Sequence, residues 1–521
     1  MKKSLFAMFM AGCLLASCNN DEPNPNAGTG ELETSYIAVS VNSANASTRA
    51  EDGGYEEGNT SEQKVTTAHF FFFDASGNPF TLNQESLVGG SDKANYVVKT
   101  IEDAGNKLPN VETITNVVLT IQNLEGEYPA QMLVVLNWDY AGEAISLTNL
   151  RNTLADYAAA VENTKGFLMS NSAYVKGTNT VITATPITIE NIASSESAAM
   201  AAPVQVFVER VAAKVTLKKN ESASANFDTG VTGPDGKKIY ARIKGWDVNT
   251  TLDHSYLVKE IDATWQDAIL GFTWNDEPYY RSYWAKSVAA DGENVKYDTD
   301  FSYAGLTNTV NTGVYCLENT GNKYTKVVIA AELVDESQNP VQVARLYSEM
   351  YTFDGIKNVI ANALKDHYYY GDETTKHTIL PKHIDFFVAG TSGKDSYTVK
   401  YRLTKEAAQL KWYYTDDAGK TFTAKTAVEV NNYLATLEGA QAWNGKSYYT
   451  VDIEHLGKNK GVVRNHSYVI TVDGISGLGT PVYDPNTVVT EPIKPEETTS
   501  YVSARINVLS WKIVNQNVTL Q

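Results

Sequence analysis

The sequence predicts an all-β protein: two tandem β-sandwich domains, short accessory helices, and a last strand set apart by a linker. Three observations lead there. Apolar residues recur with period two, clusters of turn-forming residues separate the runs, and helical periodicity is confined to two short stretches.

The elements follow in chain order. Tyr36 to Val41 (YIAVSV) puts Ile37, Val39 and Val41 on one face of a strand. His69 to Phe73 (HFFFF), closed by DASGN, and Met132 to Leu136 (MLVVL), ending at Asn137, read as strands buried on both faces. Leu150, Leu154, Tyr157, Ala158 and Val161 make a helical stripe, with Thr148 or Asn149 as N-cap. Val204 to Leu217 is the longest strand candidate. Its apolar set changes parity after Val208, which predicts a bulge or bend near Glu209-Arg210. A second helix is expected from Thr426, where Thr426 and Glu429 have capping-box spacing ahead of Val430, Tyr433, Leu434 and Leu437.

Small residues at 195–204 mark a boundary between an N-terminal sandwich, 50–203, and a C-terminal one, 204–480. Residues 481–500 hold four prolines and few large apolar residues, and read as an extended linker. Beyond it, Val502, Ala504, Ile506 and Val508 alternate with polar residues. The apolar set then shifts to Leu509, Trp511 and Ile513, which suggests a bulge or kink. Pattern alone allows two readings of 501–521: a last strand returning to its own sandwich, or a donor strand reaching another molecule.

The chain has 521 residues, 43% hydrophobic and 20% charged, enough for two to four domains with ordinary cores. A formal net charge of −18 argues against nucleic acid or an anionic membrane as partner, since both need basic patches. Lys2 and Lys3, an apolar run and small residues form a secretory signal over 1–17. Leu15-Ala16-Ser17-Cys18 resembles a bacterial lipobox, which makes Cys18 the lipidation site and acyl chains the membrane anchor. Of three cysteines only Cys316 then remains, so no intrachain disulfide is expected. No later run reaches the roughly 18 apolar residues of a spanning helix.

Catalytic chemistry is not legible. Seven histidines are scattered, and His377 and His383 have no cysteine or carboxylate cluster at ligand spacing. Gly474, Gly477 and Gly479 (GISGLG) have the wrong order for a dinucleotide loop and lack a following Lys-Ser/Thr; they read as a turn leaving a strand. No nucleophile elbow or zinc-protease motif occurs. The 31 tyrosines and 8 tryptophans are spread along the chain rather than gathered into a glycan platform. No catalytic residue, cofactor or metal is assigned. One oddity is Arg49, which stands alone between Lys3 and Lys64 in small, polar surroundings. On composition it is equally a chance surface arginine and a single protease site.

Several stretches together resemble the Bacteroidales fimbrillins, the type V pilins, and within them the FimA/Mfa-like major subunits. They are SEQKVTTAHFFFFD (61–74), MLVVLNWD (132–139), VERVAAKVTL (208–217), CLENTGNKYTKVVIAAEL (316–333), RNHSYVITVDGISGLGTP (464–481) and RINVLSWKIVNQNVTLQ (505–521). In the last, Trp511 sits in a family-like V-x-x-W context. The resemblance implies transthyretin-like sandwiches and a non-enzymatic shaft subunit. It implies a lipidated outer-membrane precursor that becomes an extracellular fimbria after a trypsin-like, arginine-specific surface protease cuts at Arg49-Ala50. Loss of 18–49 removes the strand bearing Ile37, Val39 and Val41. A neighbour's donor strand, with Val502, Ala504, Ile506, Val508, Leu509, Trp511 and Ile513, then fills the groove. Implied partners are other copies of the chain in a head-to-tail filament, anchor and tip fimbrillins, that protease, and an adhesion receptor on host or bacterium. The alternatives are an anchor or tip subunit of the same fimbria, or a monomeric glycan-binding surface lipoprotein.

Overall fold

Two apolar runs set the N-terminal architecture. In the computed structural model, which describes residues 33–43, 58–81, 94–101, 107–108, 111–123, 127–172, 174–176, 180–260, 286–288, 296–455, 459–490, 501–510 and 513–516, Thr67–Phe73 pairs antiparallel with Gln131–Leu136. Phe70, Phe72, Val134 and Leu136 enter one core, while Phe71, Phe73, Leu133 and Val135 enter another. Burial on both faces is thus the period-two rule applied to a strand with a core on each side.

These strands belong to a nine-stranded sheet. Its order is Tyr96–Thr100, Thr67–Phe73, Gln131–Leu136, Met169–Asn171, Val204–Arg210, Glu33–Ser43, Val111–Asn123 and Lys107–Leu108, with Thr185–Pro186 on Gln131–Leu136. Residues from both ends of this order share the first core, Phe70 and Val134 with Ile37, Leu119 and Val206, so the sheet folds over on itself to make a sandwich.

The second sandwich packs two five-stranded sheets. One runs Gly313–Leu317, Ala212–Lys219, His466–Ser476, Tyr501–Ser510, Ile513–Gln516; the other runs Phe227–Thr232, Lys238–Asn249, Lys326–Val334, Lys446–Asp452, Thr480–Pro481. Val215, Leu217, Trp246, Ile329, Tyr468 and Ile470 fill the space between. The chain is all-β in class, as expected, and its helices are short; the longest among the described residues are Phe353–Leu364 and Ala427–Thr436. The latter carries the expected Thr426–Glu429 capping box and buries Val430 and Leu434.

Three expectations are corrected or sharpened. The stripe from Leu150 to Val161 is not one helix. Leu147–Arg151, capped by Ser146, ends before a strand at Leu154–Asp156, and a single turn, Tyr157–Ala160, follows with Asp156 as its cap. Leu154 and Tyr157 are largely exposed, and Leu154–Asp156 pairs instead with His254–Tyr256. Of the bulge or bend expected in Val204–Leu217, the structure has the bend, at buried Val211, and it carries the chain from one sheet to another: Val204–Arg210 lies in the first sandwich, Ala212–Lys219 in the second. Likewise the shift after Val508 is a reversal. Tyr501–Ser510 ends, and Ile513–Gln516 pairs back on it, Leu509 opposite Ile513.

The sequence also concealed an insertion. Between two adjacent strands of the second sandwich, Lys326–Val334 and Lys446–Asp452, the chain builds another unit. It has a five-stranded and a four-stranded sheet, the two longest helices, and its own core around Ile360, Phe386, Tyr401, Trp412 and Leu434. Of the proline-rich stretch, Pro481 pairs with Ser447, Val489–Thr490 bridges Asp300–Phe301, and Val482 and Val489 are buried beside Tyr303 and Tyr448.

Candidate functional site

Glu33–Ser43 is an interior strand. Residues 33–42 pair antiparallel with 113–123, and Val39–Ser43 pairs in parallel with Val204–Val208. Ile37 and Val39 are fully buried, in one core with Leu119, Val204 and Val206. Ala38 is buried too, and the short helix Glu196–Ala201 packs against the strand. Val41 stands opposite Thr115 and Val206.

The placement matters because of topology. Both neighbours are remote in sequence, and one pairing is parallel, so no hairpin turn ties the strand to the strands beside it. Its removal opens two edges at once, each with unpaired backbone groups above an apolar floor. The walls flanking the strand are thus one antiparallel and one parallel, and it lies in a slot between them.

Downstream of the strand, residues 59–63 are fastened. Asn59 caps Thr60–Gln63 and forms a capping box with Glu62. Glu62 is buried and takes Lys214 Nζ at 3.1 Å and the Tyr315 hydroxyl, both from the second sandwich. Arg210 Nε donates to the Glu62 carbonyl at 2.8 Å. Burial by itself would raise the Glu62 pKa. The Tyr315 hydroxyl, the Lys214 charge and the Asn59 amide outweigh it, and the carboxyl stays below its ordinary range.

Sequence reasoning missed these buried charges, since nothing local marks them. A larger set joins the sandwiches nearby. Fully buried Arg464 donates to Glu318 Oε1 (2.9 Å from Nε), to the Tyr256 carbonyl (2.7 Å) and to Ser255 Oγ (3.2 Å). Lys259 and Glu209 form a second buried pair at 3.3 Å.

At the other end, Tyr501–Ser510 lies antiparallel to His466–Ser476 in its own chain. Val502, Ala504, Ile506 and Val508 stand opposite Ile475, Val472, Ile470 and Tyr468, all buried. A bulge between Val472 and Gly474, on the partner strand, keeps the register. The glycine stretch after that strand is a turn: Gly477 and Gly479 have φ of 73° and 66°. A Cβ on Gly479 would come within 2.4 Å of the Tyr448 carbonyl.

Other expected residues fall apart or outside. His377 pairs with Tyr370 on an exposed strand and buried His383 packs edge-on to the same ring. Among the described residues no group of three or more His, Cys, Asp or Glu is placed to hold a metal ion, and no helix is long and apolar enough to cross a membrane. Cys316 is buried and free, and burial, with Asp247 adding to it, pushes its thiol up to about 12. Cys18, Arg49, Ala50 and Trp511 lie outside the described residues.

Residues 442–517 match the family model for the major fimbrial subunit protein type IV, fimbrillin, C-terminal. Residues 442–517 are thus similar to the C-terminal region of fimbrillins. That region contains His466–Ser476, Tyr501–Ser510 and Ile513–Gln516, the sheet edge just described. The match is to a structural subunit rather than an enzyme, and it supports a fimbrial-subunit role. No curated protein sequence matches the chain. Solved structures similar to it include a fimbrilin (FimA) from Porphyromonas gingivalis, 14% identical, covering 94% of this chain and 100% of that one at a TM-score of 0.36. A cell adhesion protein from Parabacteroides distasonis is 11% identical over 92% and 98%, at 0.38. A tip fimbrial protein from Porphyromonas gingivalis is 10% identical over 92% and 100%, at 0.31.

Proposed function

We propose that the protein is the shaft subunit of a fimbria, polymerising by protease-triggered strand exchange. The precursor reaches the outer membrane lipidated at Cys18. A cut at Arg49-Ala50 frees residues 18–49, Glu33–Ser43 leaves its slot, and the 501–510 strand of a neighbour enters. A contact between one subunit's C-terminus and the next one's slot is heterologous, so it builds filaments and not closed dimers.

The observation that carries this reading is the interior position of Glu33–Ser43 between sequence-remote neighbours. An edge strand could leave without a vacancy, and a hairpin strand could not leave cleanly. The donor has a fitting pattern: Ile506-Asn507-Val508 repeats the large–small or polar–large spacing of Ile37-Ala38-Val39. While uncut, the first strand blocks entry. Each large side chain seated in the slot contributes roughly 1.5–3 kcal/mol, and each strand hydrogen bond roughly 0.5–1.5 kcal/mol, so a filled joint opens slowly. Packed residues up to Val489 fix the point from which the remaining linker runs to the donor strand.

The test is a limited trypsin digest of the precursor beside Arg49→Ala and a variant lacking 501–521, followed by unboiled electrophoresis and electron microscopy. A ladder of denaturant-resistant oligomers from the cut wild type alone is the expected result. A chain cut cleanly at Arg49 that stays monomeric would refute the shaft role and favour a tip subunit or a monomeric glycan-binding lipoprotein. A retained Cys18 lipid without cleavage would favour an anchor.

A further inference from the structure

The five-stranded sheet of the inserted unit has one face under its helices, where Ala344, Ala440, Ala442 and Val399 meet Ile360 and Leu434. The opposite face joins the second sandwich through Val343 and Trp443 and then runs clear of it. There the register sets Arg345, Gln441 and Thr398 side by side on three neighbouring strands. They make the floor of an open cleft that Tyr347, Lys394 and Glu438 wall in.

Two of these residues are placed in a way that packing alone does not explain. Tyr347 opens the two-residue hairpin loop between Leu346 and Glu349 with φ +55°, a position that favours glycine, and it is 78% exposed. A strained backbone carrying a bare aromatic ring points to a use for the ring. Gln441 is 8% exposed, yet its Oε1 has no hydrogen-bond partner in the fold. The Arg345 guanidinium is steadied over the Trp443 ring, 5.6 Å from its centroid. Among the described residues Arg345, Lys394 and Glu438 form no ion pair with each other or with any other group. Gly439 makes the wall tight: a Cβ there would sit 2.4 Å from Thr398 Cγ2.

We infer that this cleft binds a saccharide residue carrying a carboxylate. A sugar ring offers a C–H face to the exposed tyrosine and hydroxyls to the Glu438 carboxylate and the Gln441 amide. Arg345 and Lys394 supply the charge that a carboxylate needs, and they do so on a chain whose net charge is −18. The inference stands apart from strand exchange, since the inserted unit shares no strand with the slot.

Sodium glucuronate, glucose and sodium acetate, titrated separately into the full chain and followed by saturation-transfer NMR, test it. Glucuronate should bind saturably and displace glucose, with acetate failing to compete. Tyr347→Gly removes the ring while relieving the backbone, so its unfolding midpoint should hold or rise while affinity falls about tenfold. Lys394→Ala, at an exposed site, should cost a similar factor. Competition by acetate at the affinity of glucuronate would reduce the cleft to a plain anion site and overturn the inference. Equal binding of glucose, or no saturation up to tens of millimolar, would overturn it too.

Discussion

Under the proposed strand exchange, Ile37→Ala separates the precursor from the filament thermodynamically. Ile37 is fully buried, and its register partner Leu119 shares its core. Truncation to alanine in such a site costs about 2–4 kcal/mol. Because the strand is a docked segment, that loss appears as easier opening of the slot, and the amides of its walls should exchange roughly 30- to 700-fold faster. The assay is deuterium uptake over 113–123 and 204–208, in the uncut chain and in filaments. The uncut variant should exchange faster than wild type, whereas filaments of the two should match, because Ile37 has left with the propeptide. Leu119→Ala, on a retained wall, should speed exchange in both states. If Ile37→Ala weakens the filament as much as the precursor, the first strand stays in place and the exchange reasoning fails.

Three further predictions concern the junction and the second core. Glu62 has its pKa lowered on folding, so its contribution is fully present above the ordinary glutamate range and is lost as pH falls through the folded value; Glu62→Gln should therefore flatten the acid limb of a stability–pH profile and leave neutral pH less stable than wild type. Glu318→Ala strands the buried Arg464 charge and should cost roughly 3–5 kcal/mol in urea unfolding, with Arg464→Met in the same chain recovering part of it. Cys316, buried with its thiol pushed up to about 12, should resist iodoacetamide in the native chain and label only on unfolding; rapid native labelling would show that the second core opens locally.

What the sequence made legible was whatever is encoded locally. Phe70 to Phe73 announced two cores because every residue of the run is large and apolar. Thr426 and Glu429 announced a helix start because the capping box is a contact between near neighbours. Parity was read correctly, but it left the cause open. After Val208 and after Val508 the apolar set shifts by one, and a bulge, a change of sheet and a hairpin all produce that shift. Only long-range pairing chooses among them, Ala212–Lys219 with His466–Ser476 in one case and Leu509 with Ile513 in the other. The Leu150–Val161 stripe misled for a related reason: helical spacing was present, but Leu154 found a strand partner at Tyr256. Arg464 and Glu318 lie 146 residues apart and leave no local trace. The inserted unit went unseen because it too is built of short strands joined by turns. The slot was half legible, its strand visible as an alternation and its interior position fixed only by register.

Those long-range pairings also bear on how a filament would carry load. In the proposed assembly the incoming strand lies against Val204–Arg210, and that strand continues through buried Val211 into Ala212–Lys219. Ala212–Lys219 pairs in parallel with His466–Ser476, the strand on which the outgoing donor rests before assembly. Tension entering at the slot therefore meets covalent backbone first, and then a parallel ladder loaded along its strands, where many hydrogen bonds resist together. The remaining wall, Val111–Asn123, has no such continuation, so the junction must keep it and the first sandwich from rotating away. A buried pair suits that task better than apolar contact alone, because separating Glu62 from Lys214 leaves charges uncompensated at once. A junction of this kind is stiff to small displacements and weakens as pH falls, so the Glu62→Gln chain should assemble normally and yet extend at lower force than wild type in single-filament pulling at neutral pH. Equal extension forces would place the resistance elsewhere, in the seated strand itself.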